Sequence, residues 1–310
     1  MLPQTLTVLF LALISALATV TGVPLIFFPE LAALAYEIFT NPGGKWARSP
    51  WYLAITPAIA GLAGVACAIA LPYGYVSMLL AIGCSLGIVI VLRSPVAPAI
   101  SAGVLPVVMA VDSWMYPFAI LLGTSILALL SVQWRSWSRL GVPIERVEAT
   151  DSNRNLPLLG YEWAFKLLLL IVILLVAVNG AGQRMILFPP LVVIAFEMFA
   201  YTSRCPWAKT PWRLPIVCTA TALIGVLAVE VFGVGMVSTI LTVSIGIAIL
   251  RLIDQHVPPA LAVGLIPQVM NAPGWNYPVA VGLGCSVLVA FFFATEALKP
   301  TFARFRHLRN

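Results

Sequence analysis

The sequence predicts an all-α polytopic membrane protein made of two tandem homologous repeats. Three observations carry this reading. The chain is 61% hydrophobic and 9% charged, with a mean hydropathy of +1.04, whereas a soluble domain carries about 25% charged residues. Its apolar residues fall into runs long enough to enter or cross a bilayer, separated by short polar or proline-containing breaks. A series of unlike residues also recurs at one spacing, the mark of an internal repeat.

The recurrence is direct. Phe28-Pro29 and Glu37-x-Phe39 return 160 residues later as Phe188-Pro189 and Glu197-x-Phe199. After one extra residue the spacing is 161, and Trp46-Ala47-Arg48-Ser49-Pro50-Trp51 meets Trp207-Ala208-Lys209-Thr210-Pro211-Trp212. Pro98-Ala99, Gly103 and Pro106 meet Pro259-Ala260, Gly264 and Pro267. Trp114-x-Tyr116-Pro117 meets Trp275-x-Tyr277-Pro278. The chain thus divides into a first membrane repeat over 1–133, a polar linker over 134–160, a second membrane repeat over 161–298 and a basic tail over 299–310.

Each repeat holds about six apolar segments, up to 12 helices in all; in the first they are 5–22, 24–40, 52–71, 75–92, 97–111 and 115–132. The run Thr5–Val20 lacks a basic region before it, and Leu167–Val178 takes its place in the second repeat. It therefore reads as a retained first helix, not a signal peptide. The second segment is punctuated by prolines. The third and fourth are close to the ~20 residues a span needs, the third carrying Pro57. The fifth is short and opens at Pro98. The sixth opens at Trp114 and Tyr116, residue types that favour the membrane interface. Segments 2 and 5 of each repeat are expected to be short, broken or re-entrant. Proline removes a backbone donor and clashes with the preceding turn, and broken backbone at membrane depth survives only inside protein or beside a polar cavity.

Inversion of the repeats would require only one of segments 2 and 5 to span; when both cross or both turn back, each repeat crosses an even number of times. The repeats should then relate by a pseudo-twofold axis along the membrane normal, as parallel repeats. Arg135, Arg139, Arg146 and Arg154 of the linker and Arg304, Arg306 and Arg309 of the tail place both segments in the cytoplasm. The net charge of +6 comes from residues lying between apolar runs, not from a basic stripe with interleaved aromatics, which excludes nucleic acid as a partner. The five cysteines are scattered, with no spacing suited to a metal, and mostly lie in apolar runs as small hydrophobes. No cofactor or metal site is expected.

Two blocks, present in both repeats, resemble the HPP family of integral membrane proteins. One is F-P-x-L-x-x-x-A-x-E-x-F followed by a short loop and W-A-[KR]-[ST]-P-W. The other is the proline pair opening a glycine-containing apolar segment, Val257-Pro258-Pro259-Ala260-Leu261-Ala262-Val263-Gly264-Leu265-Ile266-Pro267. The family usually has one such unit per chain, so this would be an internally duplicated member. The His-Pro-Pro run that names the family is interrupted by a valine, His256-Val257-Pro258-Pro259, and the first repeat has Pro95-Val96-Ala97-Pro98 with no histidine. Some members are implicated in nitrite movement across membranes, so the resemblance implies transport of a small inorganic anion.

Several residues are candidates for function. Glu37 and Glu197 are matched carboxylates inside apolar segments, where a charged side chain costs about 2.5–3.5 kcal/mol on insertion scales. They read as proton-coupling or cation sites, as partners for Arg48 and Lys209, or as helix-end groups capping the next loop. Arg48 and Lys209, flanked by tryptophans, read either as anion attractors or as interfacial anchors. Pro98-Ala99 and Pro258-Pro259-Ala260 mark helix starts, where a small anion would meet free backbone N–H groups; a plain kinked helix is the other reading. His256 either titrates near neutral pH and donates to an anion, or is structural, with Asp254 pairing with it or with Arg251. Trp114, Tyr116, Trp275 and Tyr277 read as interfacial aromatics.

Taken together, these residues describe a membrane transporter or channel for a small solute, most plausibly an inorganic anion such as nitrite. Its site would lie between broken helices at the repeat interface. The partners expected are the solute, the bilayer and, compatibly, further copies of the chain. The competing reading is a membrane-embedded lipid-handling protein or enzyme using Glu37, Glu197 and His256 as acid–base groups. The sequence carries no nucleophile–base motif, so no catalytic residue is assigned.

Overall fold

The computed structural model describes residues 2–138, 162–270 and 272–307. The linker charges Arg139, Glu145, Arg146, Glu148, Asp151 and Arg154, together with residues 308–310 of the tail, lie outside the described residues. The described residues are all-helical, with no strand among them. The half before the linker contains α1 (Leu2–Thr21), α2 (Leu31–Thr40), α3 (Pro50–Ala70), α4 (Tyr75–Val91), α5 (Ala99–Met109) and α6 (Met115–Ser138). The half after it contains α7 (Glu162–Ala181), α8 (Pro189–Ala200), α9 (Arg213–Phe232), α10 (Met236–Leu252), α11 (Pro259–Leu265) and α12 (Asn276–His307). Helix α6 runs on to Ser138, so Trp134 and Arg135 are helical; Trp134 Nε1 donates to the Phe39 carbonyl at 3.1 Å.

Six helices, α1, α3, α6, α7, α9 and the Asn276–Leu298 part of α12, are long and apolar enough to cross a membrane. Between 33% and 50% of each span is buried inside the molecule. The remaining face exposes large apolar side chains, among them Leu13, Leu129, Phe165 and Val231, to the surroundings. A face of this kind fits a multi-pass membrane protein. Helices α4 and α10 have 17 residues each.

The short helices α2, α5, α8 and α11 sit in the middle. Every residue of α5 from Ala99 to Val108, of α8 from Pro189 to Phe199 and of α11 is buried. A helix that is apolar all round has no solvated face to offer and is buried on every side. The halves interlock through these helices: α5 packs on α8, and α11 packs on α2 and α8. The long helices surround them, α3 against α5 and α6, α9 against α11 and α12. Contact between α3 and α5 is close enough that a Cβ on Gly64 would overlap the Gly103 carbonyl; a Cβ on Gly225 would overlap Gly264 in the same way.

Each of the two central helices α5 and α11 meets a proline and survives it. Pro106 lies inside α5, and Pro267 turns the end of α11 into a 3-10 turn over Ile266–Gln268. Proline has no N–H, so the carbonyl four residues back loses its helical donor. Those carbonyls belong to Ala102 and Val263, of which Val263 O keeps a shared 3-10 bond from the Ile266 N–H. The Tyr116 hydroxyl donates to Ala102 O at 2.9 Å, and the Tyr277 hydroxyl donates to Val263 O at 2.7 Å. Both tyrosines are 2% exposed, whereas Trp114 and Trp275 are 51% and 52% exposed. The interfacial reading therefore fits the tryptophans and fails for the tyrosines, which serve the interior backbone.

The loops ahead of α5 and α11 also have a common cause. Helices α4 and α10 end on Arg93 and Asp254, both in the left-handed region at φ 51° and 52°. The next N–H groups, of Ser94 and Gln255, reach back to the carbonyls of Val89 and Leu250 at 2.9 Å, a wrap that usually takes glycine. The Arg213 guanidinium closes the α10 end by donating to the Ile253 and Asp254 carbonyls. Neither His256 nor Arg251 pairs with Asp254 through a salt bridge.

Tyr116→Phe should lower stability by about 1–3 kcal/mol, because the buried Ala102 carbonyl loses its donor. Pro106→Ala restores an N–H to that carbonyl, so the same phenylalanine substitution should have a smaller effect in the Pro106→Ala background. Thermal unfolding of the four proteins in detergent measures this. Additive effects would refute the shared carbonyl.

Candidate functional site

Where α2 and α8 end, they bring two carboxylates to the seam between the halves. Glu37 lies in the last turn of α2 and Glu197 in the last turn of α8. Each carboxylate meets a basic side chain from the opposite half. Glu37 Oε2 lies 2.6 Å from His256 Nε2, delivered by the loop ahead of α11. Glu197 Oε1 accepts from Lys45 Nζ at 2.9 Å, and Lys45 belongs to the α2–α3 loop. Asn41 donates to the other Glu37 oxygen at 3.1 Å. The Tyr36 ring lies 5.7 Å from the His256 ring and holds the imidazole from its other side.

These groups line a cleft of about 400 Å³. Its walls are Glu37, Asn41, Lys45 and Trp46 from one half with Glu197, Tyr201, Arg204 and Trp207 from the other. The loops that precede α5 and α11 contribute Arg93, Ser94 and Pro95, and His256 and Pro258. Three permanent cations, Lys45, Arg93 and Arg204, thus face two carboxylates, with His256 beside them. Trp46 Nε1 donates to the Pro95 carbonyl at 2.8 Å and pins the loop that forms this wall. Lys45 also stands 4.8 Å over the Tyr201 ring. Burial, and then the Glu197 charge, push the Tyr201 phenol up to about 12, so it remains a neutral hydroxyl.

Of the residues chosen from sequence, Glu37, Glu197, His256 and Pro258 share this cleft. Pro98, Ala99, Pro259 and Ala260 are buried in the packed interior and do not line it. Arg48 and Lys209 are exposed and also stand outside its walls. The carboxylates take Lys45 and His256 as partners in place of Arg48 and Lys209. Lys45, Arg93, Arg204 and Tyr201 were not selected by sequence reasoning. Lys45 has no counterpart in the second half, where the same register holds Cys205 or Pro206, so comparing the halves cannot single it out. No group of three or more potential metal ligands occurs among the described residues.

The chain matches no family model, no curated protein and no solved structure.

Lys45→Ala leaves Glu197, whose side chain is 9% exposed, without its cation. The expected loss is about 1 kcal/mol, at the low end for a charged partner because the Lys45 side chain is 37% exposed and screened by water. Adding Glu197→Gln should recover most of that loss, since the amide needs no cation. Melting temperatures in detergent decide; a double variant as unstable as Lys45→Ala alone would remove the pairing as a stabilising contact.

Proposed function

We propose that this protein is a membrane transporter or channel for a small solute, an inorganic anion such as nitrite, and that the cleft between the halves is its mouth. The observation that carries this reading is the surplus of basic groups at a seam between two interlocked halves: Lys45 and His256 meet Glu197 and Glu37, and Arg93 faces the same cleft besides. A cleft with an excess of positive charge over low-dielectric walls concentrates the opposite ion. Both ion pairs cross the seam, so rocking one half against the other makes and breaks them together. Beyond the cleft, behind Pro95 and Pro258, lie Pro98-Ala99 and Pro259-Ala260, packed shut. Passage requires the halves to separate there, as rigid-body alternating access would do.

The proposal includes the duplication. The recurring sequence blocks, the Tyr-to-carbonyl bonds at Ala102 and Val263 and the left-handed residues at Arg93 and Asp254 all recur at one register, which supports two tandem HPP-like repeats. It also includes the orientation. Arg135, at the end of α6, donates to the Ala47 carbonyl beside the cleft, so the linker starts on the cleft side. The basic linker and tail support a cytoplasmic position for that side.

Reconstituted into liposomes, the protein should take up nitrite down a concentration gradient. Arg93→Glu should lower the initial rate by about tenfold at low salt, and added salt should narrow the gap, because a focused field is screened. A folded protein that passes no small inorganic anion would sink the proposal.

A further inference from the structure

Glu30 stands apart from the cleft. It is 1% exposed and immediately precedes α2, in the interior where α2 and α5 begin. Its side chain does not cap α2. One carboxyl oxygen is hydrogen-bonded to the Ser101 hydroxyl of α5, and the other, Oε2, is buried with no partner. No cation is paired with it. The titratable groups near enough to interact with its charge are the phenols of Tyr116 on α6 and Tyr277 on α12. Both phenols already donate to the Ala102 and Val263 carbonyls.

A bare carboxylate with one hydrogen bond and no counter-charge is not tolerated in an apolar interior; the group takes a proton instead. The fold does not require an acid at this point. The second half reads Phe188-Pro189-Pro190-Leu191 where the first reads Phe28-Pro29-Glu30-Leu31, so Pro190 fills the same place, and Ala262 stands where Ser101 does. The acid and its hydroxyl partner are a matched pair found in one half only.

We infer that Glu30 is a proton-binding site that couples a proton to the transported anion. The inference rests on the transport reading above. When the cleft side opens, Glu30 holds its proton as the neutral acid, and a monovalent anion can enter beside it. When the far side opens, the O–H bond breaks, the proton leaves to water with the anion, and the carboxylate left behind is hydrated. Reprotonation from the other side restores the neutral acid. One proton therefore moves with each monovalent anion, and the cycle is electroneutral. Proton and anion raise each other's affinity by one factor, because a carboxylate repels the anion and the neutral acid does not.

The test uses full-length protein in liposomes loaded without nitrite and a pH gradient of either sign. The wild type should accumulate nitrite toward the alkaline side, with one proton moved per nitrite, read from the pH change of a weakly buffered medium. Glu30→Gln, a permanent mimic of the neutral acid, should keep nitrite–nitrite exchange and lose accumulation driven by the pH gradient. Nitrite movement by the wild type with no accompanying proton overturns the coupling without any variant. Gradient-driven accumulation that persists in Glu30→Gln overturns Glu30 as its site. A wild type that carries no nitrite in any format overturns the transport reading itself. In that case the infrared difference spectrum between wild type and Glu30→Gln still tests the buried acid: a protonated-carboxyl band in the wild type supports it, and a carboxylate band overturns it.

Discussion

The interior of this protein depends on two phenols that supply the hydrogen bonds two prolines take away. Proline in a buried helix takes the i+4 donor from a carbonyl, and a buried carbonyl left short of donors costs up to about a lost hydrogen bond. Tyr116 and Tyr277 meet that cost from the first turns of α6 and α12. Their reach fixes how closely the outer helices approach α5 and α11. The glycine contacts between α3 and α5, and between α9 and α11, set the same distance from the opposite flank. The central helices are thus gripped from two sides, and the loops leading into them, which carry Arg93, Pro95, His256 and Pro258, are held at the seam.

Much of the architecture was legible in the sequence. Long apolar runs predict long helices wherever the bilayer demands internal hydrogen bonding, and α1, α3, α6, α7, α9 and α12 follow them closely. The short middle helices were legible because proline has few ways to sit in a helix. The tyrosines were not, although the relation between Pro106 and Ala102 is simple counting. A tyrosine beside a tryptophan at the end of an apolar run looks the same whether it faces headgroups or the interior; packing decides which. The candidate site was half legible. Glu37 and Glu197 stand out as matched carboxylates at helix ends. Their partners do not, since Lys45 and Glu197 are 152 residues apart and no local rule joins them.

The matched and unmatched residues divide by task. Features that shape backbone, such as Pro106 and Pro267 or Gly64 and Gly225, occur in both halves. At the seam the two carboxylates are matched, but their partners are not: the histidine comes from one half and the lysine from the other. Glu30 belongs to the second class. A backbone frame whose features recur in both halves thereby holds a cleft whose two sides present different groups.

The crossed pairing has a consequence for how the molecule is made. Glu37 and Lys45 emerge early in synthesis, while His256 and Glu197 are still to be translated. The first half cannot complete either pair by itself, and its carboxylate must stay in water or keep a proton until the second half arrives. Docking of the halves is then the step that closes both pairs at once. A chain stopped in the linker would carry α2 and α5 with the apolar surfaces meant for α8 and α11 uncovered, a state that quality-control proteases recognise.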